Sequence, residues 1–235
     1  LNEIPLDGVA RVLELGAGDG VQTAALRKRF GQVVAIDIAP SGNVDGIIVA
    51  DAEALPFGDG YFDLIFSSNV LEHIDQIDKA LIEMKRVLNP NGIMIHSMPT
   101  GSWKIVQVVA RPVASIVNIV RKISLKLSNR VRRARPGSHT SILTMDSVQR
   151  SATSKLMGQF IPSIHGVSSN HIQEFWRFRK RWWISKFREC ELDCFRSSAL
   201  YLHSPYGLLP YRFLGLRDRL ARYGIASVEV FWLQP

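Results

Sequence analysis

The sequence predicts an α/β fold in which helices cover both faces of a doubly wound, mostly parallel β-sheet. Over the first hundred residues, short apolar runs alternate with segments of helical spacing, and the connections between them are short. A glycine-rich turn directly follows the first apolar run, and two further strand-like segments lie near the end of the chain. Alternating strands and helices with short connections are typical of parallel sheets covered by helices.

The predicted strands are short apolar runs bounded by turn residues, as buried parallel strands are. They are, in order, Val9–Leu15, Val33–Ile38, Gly46–Ala50, Phe62–Ser67, Ile93–Met98, Leu192–Tyr201 and Ile225–Leu233. Together they predict a sheet of seven strands.

Helices are predicted where apolar residues recur at three- and four-residue spacing. They cover Val21–Phe30, Ile74–Leu88 and about His171–Glu189, and a short basic helix is expected between the last two strands. The turn Asn89-Pro90-Asn91-Gly92 is expected to end the second helix. The third helix interleaves aromatic and cationic side chains, a pattern that favours a packing element over a binding surface for a nucleobase or a lipid headgroup.

Residues 101–165 are predicted to form a variable insertion within a single domain that covers residues 1–235. Apolar residues recur at helical spacing from Ile105 to Val131 with Lys and Arg between them, which predicts a basic amphipathic helix bent or interrupted at Pro112. Arg135–Ile164 is rich in Ser and Thr and is punctuated by Gly and Pro, so a loop is expected. The insertion follows strand five at the ligand-binding edge, where a lid or acceptor-specificity region is expected.

The chain has 235 residues, of which 46% are apolar, and a formal net charge of +8. The positive charge is concentrated, because no acidic residue lies between Glu83 and Asp146. The basic residues in that window are Lys85, Arg86, Lys104, Arg111, Arg121, Lys122, Lys126, Arg130, Arg132, Arg133 and Arg135. Such a window indicates an anionic partner, which is a phosphate-bearing substrate, a membrane surface or a nucleic acid.

The chain contains two cysteines, Cys190 and Cys194, which are expected to be ordinary buried thiols. No second pair of ligands completes a metal site, so no metal is predicted. Without a secretory signal at Leu1, a reducing cytoplasmic location is expected, and the short stretch before the first strand suggests a trimmed form of something longer. No uninterrupted apolar run of about twenty residues is apparent, so a membrane-spanning helix is not expected.

The glycine-rich turn is Glu14-Leu15-Gly16-Ala17-Gly18-Asp19-Gly20, placed between the first strand and the first helix. Glycines there let the backbone pass close to a ligand, and the helix N-terminus offers free N–H groups. The dinucleotide-binding fingerprint would require glycine or alanine at position 21, where this chain has Val21. The spacing E-x-G-x-G-x-G instead resembles motif I of class I S-adenosylmethionine-dependent methyltransferases.

Three further segments extend the resemblance over most of the first hundred residues. Asp51–Phe57 looks like the D-A-x-x-L-P-F stretch of the methyltransferase type 11 group, which includes ubiquinone/menaquinone-type enzymes. Tyr61–His73 is similar to that group's strand-four motif, and Leu88–Gly92 matches its L-x-P-x-G turn. The resemblance implies a Rossmann-like seven-stranded sheet whose last two strands complete an antiparallel edge, with S-adenosylmethionine as the cofactor.

The resemblance also implies a role for each cofactor-binding residue. The turn Gly16–Gly20 would pass beneath the methionine and ribose, with Glu14 near the cationic amino and sulfonium end. Asp37 would bind the ribose diol, and Asp51 would accept from the adenine amine. The implied cofactor-binding set is Glu14, Gly16, Ala17, Gly18, Gly20, Asp37, Ile38, Asp51, Ala52, Ser68 and Asn69. Glu14 and Asp51 have a simpler alternative, in which they cap neighbouring turns.

The segment between Asp37 and Asp51 departs from the family pattern. It contains Pro40, Gly42 and Gly46 and is too short for the full helix that family members usually have there. A loop is therefore expected, and the wall of the pocket on the adenine side is in question.

His73 is the candidate general base, because it follows strand four beside the expected point of methyl transfer. The alternative is that His73 packs or caps the start of the next helix. His139, His165 and His171 lie in the variable half and could face the acceptor.

Three classes of function are compatible with these features. The leading hypothesis is methyl transfer to a small-molecule or lipid/glycan-linked acceptor such as a quinone, a sugar or a polyprenyl-linked glycan. A nucleic-acid methyltransferase ranks lower, because the N/D-P-P-Y/F motif and any recognised RNA-binding module are missing. The third is a non-catalytic relative that binds S-adenosylmethionine.

The basic stretch Trp103–Arg135 has two interpretations. Its long apolar stripe and cationic polar side are typical of a helix that contacts a membrane peripherally. The alternative is that the stripe packs as a lid on the core or against a second subunit, in a homodimer.

Overall fold

The computed structural model describes Leu6 and residues 8–41, 45–133, 164–202 and 214–235. Within these ranges the strands are β1 (Arg11–Leu15), β2 (Gln32–Asp37), β3 (Ile47–Val49), β4 (Phe62–Ser68), β5 (Leu88–Pro99), β6 (Asp193–Ala199) and β7 (Val228–Gln234). The helices are α1 (Val21–Arg27), α2 (Ile77–Val87), α3 (Gly101–Arg133), α4 (His171–Arg177), α5 (Lys180–Glu189) and α6 (Leu214–Arg222), with a short 3₁₀ helix at Leu71–His73.

The seven strands form one sheet in the order β3-β2-β1-β4-β5-β7-β6, which confirms the predicted fold class. Strands β1 to β5 pair in parallel, and β7 runs antiparallel to both of its neighbours, β5 and β6. The antiparallel strand therefore lies one position in from the edge. The carboxyl ends of β1, β2 and β4 meet at one edge of the sheet, where open α/β sheets bind their ligands.

Several element boundaries differ from the sequence-based expectation. The helix expected at Ile74–Leu88 begins three residues later, as α2 at Ile77, and the 3₁₀ helix Leu71–His73 precedes it. Because β5 begins at Leu88, the turn expected at Asn89–Gly92 lies within a strand, and this strand shifts register against β4. The helix expected at His171–Glu189 is interrupted between α4 and α5. No helix lies in the described residues between β2 and β3, as expected from the short spacing. The predicted Arg135–Ile164 loop lies almost wholly outside the described residues.

Side chains from the two faces of the sheet enter two separate cores. On β1, Leu13 packs with one core cluster and Val12 with the other, as the alternation of side chains along a strand requires. Trp183 and Phe187 of α5 are buried in the same cluster as Leu13. These two aromatic residues are therefore packing elements, which is the role that the sequence favoured.

Helix α3 presents large apolar side chains to solvent and small or polar ones to the protein. Its buried residues are Gly101, Lys104, Ala110 and Ala114. Its exposed apolar residues are Ile105, Val108, Val109, Val113, Ile116, Val117, Val120 and Leu125. By length and composition alone, Gly101–Arg121 could cross a membrane, which corrects the expectation that no such segment exists. The stripe does not pack on the core as a lid would.

A buried histidine lies in the middle of the sheet. His96 of β5 is fully buried, and its Nδ1 lies 2.8 Å from the Ser67 hydroxyl of β4. Burial disfavours the charged imidazolium and lowers the pKa of His96 to about 3. His96 is therefore neutral in the folded protein at every pH above that value.

This lowered pKa predicts a loss of stability in mild acid. Below the ordinary histidine pKa of 6.5 the unfolded chain takes up a proton that the folded protein excludes. The free energy of unfolding should therefore fall by about 2 kcal/mol from this group between neutral pH and about pH 5. In denaturant titrations at both pH values, this fall in the free energy of unfolding should be seen in wild type and be missing in His96→Asn. Equal pH slopes for the two proteins would contradict it.

Candidate active site

The turn after β1 is built from glycines in the left-handed region. Gly16, Gly18 and Gly20 have φ values of 68°, 54° and 75°, which residues with a Cβ rarely adopt. At Gly16 a Cβ would also lie 2.2 Å from a methyl group of Val70, in the loop after β4. At Gly18 the space is open. The turn thus lets the loops after β1 and β4 approach each other closely.

Asp37 joins this turn to the end of β2. One carboxylate oxygen accepts from the Gly18 N–H at 2.8 Å, and the other accepts from the Ala39 N–H at 2.8 Å. A carboxylate oxygen has more than one acceptor site, so both oxygens can accept further hydrogen bonds from a ligand. Asp37 therefore fixes the turn and keeps free acceptor capacity.

A cavity of about 530 Å³ lies at the carboxyl edge of β1, β2 and β4. The predicted site residues that line it are Gly16, Asp37, Ile38, Asp51, Ala52, Asn69 and His73. The predicted site residues that do not line this cavity are Glu14, Ala17, Gly18, Gly20 and Ser68. The structure thus brings seven of the sequence-predicted residues to one cavity.

Glu14 and Ser68 lie behind the cavity wall. Glu14 is buried, and among the described residues neither of its carboxylate oxygens has a hydrogen-bond partner. Burial raises its pKa above the usual value, and the nearby Thr23 side chain and Arg27 charge only partly oppose this effect. The Ser68 hydroxyl accepts from Ser97 of β5 at 2.9 Å, which ties the end of β4 to its neighbour.

The segment after Asp51, which was expected to border the adenine, is held by Arg86 of α2. Arg86 binds the Glu83 carboxylate through two hydrogen bonds of 2.8 Å and donates to the Leu55 and Phe57 carbonyls at 3.0 and 2.8 Å. Hydrogen bonding to Arg86 lowers the pKa of Glu83. The Glu83 carboxylate also accepts from the Leu55 N–H at 2.9 Å. The segment after Asp51 is thus fixed although the described residues between β2 and β3 contain no helix.

A second cavity of about 220 Å³ adjoins the first and shares Asn69 and His73 with it. Trp103 and Gln107 of α3 line this second cavity, and so does His165, which lies just before α4. The sequence had left His165 as one of three histidines that could face the acceptor. Of the other two, His171 does not line this cavity, and His139 lies outside the described residues.

Asn69 stands where the two cavities meet. Its φ of 54° places it in the left-handed region, which is uncommon for residues other than glycine and is found preferentially at functional sites. Its N–H donates to the Ser97 carbonyl at 2.8 Å, which secures this conformation.

Gly166 brings the distal end of the insertion over the second cavity. A Cβ on Gly166 would lie 2.2 Å from the Glu72 carbonyl oxygen, and its φ is 69°, so glycine is required on both counts. The Val167 N–H donates to the same carbonyl at 3.1 Å. The neighbouring His165 is thereby held at the cavity wall.

A buried carboxylate attaches α3 to α4 beside this wall. Glu174 is fully buried, and its Oε2 lies 2.6 Å from the Lys104 Nζ of α3. The His165 N–H donates to Glu174 Oε1 at 3.2 Å. The His171 Nδ1 lies 3.6 Å from Glu174 Oε2. This cluster positions both α3 and His165 relative to the second cavity.

Glu72 is a site residue that the sequence analysis missed. Its side chain is 4% exposed, lines the second cavity, and lies 4.0 Å from the His73 Nε2. Burial raises the pKa of Glu72 to about 7, against a smaller opposing effect of a backbone hydrogen bond. Burial also lowers the pKa of His73, and the charge of His165 adds to this effect. Glu72 can therefore exchange a proton near neutral pH, and the neutral form of the His73 imidazole is favoured.

Among the described residues, no group of three His, Cys, Asp or Glu side chains could hold a metal ion. Cys190 is buried and Cys194 partly buried, and neither is in a disulfide.

The strand order, the glycine turn against β4 and the acid at the end of β2 define a class I methyltransferase fold with its cofactor edge. Residues 13–96 match the family model described as a methyltransferase domain. Over these residues the chain is thus similar to methyltransferase domains of the type 11 group.

Curated relatives agree over the same part of the chain. The chain is 38% identical over 101 residues to a malonyl-[acyl-carrier protein] O-methyltransferase of Methylococcus capsulatus, covering 37% of each protein. It is 39% identical over 103 residues to a ubiquinone/menaquinone biosynthesis C-methyltransferase of Vibrio vulnificus, covering 36% of this chain and 39% of that one. The match thus spans well under half the length of either relative.

The fold is shared with solved structures over nearly the whole chain. An S-adenosylmethionine-dependent methyltransferase from Mesorhizobium loti superposes with a TM-score of 0.53 at 14% identity, covering 99% of this chain and 94% of that one. At this identity the likeness concerns the fold alone.

The raised pKa of Glu72 predicts that removing the negative charge of this side chain stabilises the folded protein. The folded state binds the Glu72 proton more tightly than the unfolded state does. The stabilisation that this proton provides is present below about pH 4.5 and is lost as the pH rises through about 7. Glu72→Gln should therefore raise the free energy of unfolding by about 3 kcal/mol near pH 8, with little gain in acid. Denaturant titration measures this difference.

The matched control is Glu191→Gln, because the Glu191 side chain is exposed. Its carboxylate has a pKa lowered by the hydrogen bond from Lys85, so it should show no gain at any pH. A Glu72→Gln gain that is equal at acid and alkaline pH would contradict the raised pKa.

Proposed function

We propose that the protein transfers a methyl group from S-adenosylmethionine to a small-molecule or lipid/glycan-linked acceptor held in the 220 Å³ cavity. The observation that carries this proposal is that the two cavities meet at Asn69 and His73. A cofactor in the larger cavity and an acceptor in the smaller one would be adjacent at that junction.

The larger cavity has the chemistry that S-adenosylmethionine requires. Asp37 and Asp51 offer carboxylates to a ribose diol and to an adenine amine, beside the apolar Ile38 and Ala52. Gly16 and Asn69 would border the methionine end. Gly18 and Gly20 would shape the turn from behind, together with Ala17, and Glu14 and Ser68 would support the ends of β1 and β4.

When bound, S-adenosylmethionine supplies an activated methyl group whose leaving group departs neutral. The remaining work of the chain is to align an acceptor atom, which can contribute on the order of 7–11 kcal/mol, and to remove its proton if it carries one. His73 suits the second task, because its lowered pKa keeps the imidazole neutral and able to accept a proton at neutral pH. The Glu72 carboxyl group lies beside it, 4.0 Å from the His73 Nε2.

The smaller cavity favours a compact, polar acceptor group. Gln107 and His165 offer hydrogen bonds, Glu72 offers a carboxyl group, and Trp103 offers an aromatic face. Because α3 and His165 belong to residues 101–165, their place in this wall supports a single domain whose insertion selects the acceptor. A nucleic acid fits this narrow cavity less well, and a purely cofactor-binding relative would have no use for the proton-accepting pair.

Loss of the Asp37 carboxylate should weaken cofactor binding. Asp37→Ala removes the acceptor for the ribose and for the Gly18 N–H, so the affinity for S-adenosylhomocysteine should fall by about 1–3 kcal/mol. Isothermal titration calorimetry measures this, with NAD as the control ligand. Equal affinity for NAD, or an unchanged affinity of Asp37→Ala, would overturn the assignment of the larger cavity.

For an oxygen acceptor, His73→Ala should reduce turnover at least tenfold while the affinity for S-adenosylhomocysteine stays nearly unchanged, because only proton removal is lost. Formation of S-adenosylhomocysteine is measured with a low-molecular-weight and lipid extract as the source of acceptor. A lowered melting temperature of His73→Ala with proportionate loss of both properties would instead show that His73 has a packing role.

A further inference from the structure

We propose that α3 binds an anionic lipid membrane by lying in the plane of its interface, with its exposed apolar face toward the acyl chains. This inference does not depend on the proposed methyl transfer. It follows from the orientation of α3, its charge and its attachment to the rest of the domain.

The outward face of α3 is apolar over more than four turns. Ile105, Val109, Val113, Ile116 and Val120 are each more than half exposed. Their spacing of three or four residues places them on one side of the helix. Soluble surfaces rarely expose such a continuous patch, and a patch of this kind marks a membrane or protein contact.

The apolar face continues onto α4. A groove of about 260 Å³ between the two helices is lined by Ile105, Val108, Val109, Ile172 and Phe175, and its lining is almost entirely apolar. Ile172 is 72% exposed. The groove therefore extends the surface that an acyl chain could contact.

Charge identifies the partner as an anionic surface. Residues 101–133 contain eight Lys and Arg residues and no Asp or Glu, and the basic residues are concentrated towards the end of the helix. A basic amphipathic helix gains from anionic headgroups as well as from apolar burial. A second copy of this chain offers its α3 the same positive charge, which disfavours a dimer through this face.

The attachment of α3 to the domain favours the interface plane over a spanning orientation. Lys104 is buried against Glu174, and Ala110 and Ala114 are buried beyond it. Before the helix, the Thr100 hydroxyl donates to the Ala226 carbonyl. Insertion across a bilayer would break these contacts and leave Glu174 without its Lys104 partner, whereas lying flat keeps all of them.

This orientation has a consequence that rests on the proposed function. The inner side of α3 contributes Trp103 and Gln107 to the smaller cavity, so Trp103 is not part of the outward apolar face. Membrane binding would place that cavity directly behind the membrane-bound helix, which favours a lipid-linked acceptor.

The test is co-flotation of the whole chain, without cofactor, with phosphatidylcholine vesicles that contain or lack phosphatidylglycerol. Binding should require phosphatidylglycerol and decrease as salt rises. The double variant Val113→Glu with Ile116→Glu should weaken binding tenfold or more, because both exposed side chains would carry charge into the acyl region. Arg121→Glu should weaken it about fivefold or more.

Ile82→Glu is the matched control, since Ile82 is a 57% exposed apolar residue on α2. It should bind vesicles like wild type, and every variant should keep its affinity for S-adenosylhomocysteine, which separates this test from that of the proposed function. Three results would overturn the proposal. The first is that the protein does not bind the vesicles at low salt. The second is that bound protein resists high salt and alkaline extraction, as a membrane-spanning helix would. The third is that sedimentation without lipid shows a dimer that the double variant abolishes.

Discussion

The buried ion pair between Lys104 and Glu174 governs how the second half of the molecule is arranged. A buried carboxylate is costly unless a cation and hydrogen-bond donors satisfy it, and here the charge comes from α3. To deliver Lys104, α3 must turn its small and polar side to the protein, and its branched apolar side then faces outward. The same carboxylate binds the backbone of His165, so one group orients the helix and also positions a wall of the smaller cavity.

The two cavities differ in how far apart their residues lie in the sequence. The larger cavity is lined by residues from Leu15 to Gln76, which follow consecutive parallel strands to the same edge of the sheet. The smaller cavity combines the end of β4 with α3, His165 and the start of β7. Under the proposed function, cofactor binding would be a local property of the first part of the chain, whereas acceptor binding would depend on segments from its second half.

This difference explains what the sequence could predict. Asp37 follows an apolar run and the glycines at 16, 18 and 20 follow another, so strand periodicity and turn chemistry were sufficient to place them at one edge. Glu72 carries no such signal, because the segment that packs against it, at Gly166, lies far along the chain. Helical spacing likewise revealed the apolar stripe of α3 but not the side that faces the protein. That choice depends on Glu174, and no local pattern links it to Lys104.

The close approach of Gly166 to the Glu72 carbonyl has a consequence for how such enzymes can diversify. Both ends of the inserted segment are fastened to the rest of the domain, at Thr100 by Ala226 and at Val167 by Glu72. Loop closure between fixed ends depends only weakly on loop length. As long as Lys104 is kept as the partner of Glu174, the stretch between the anchors can therefore be lengthened, shortened or exchanged with little strain on the domain. The two anchors are then natural junctions for grafting one acceptor specificity onto another.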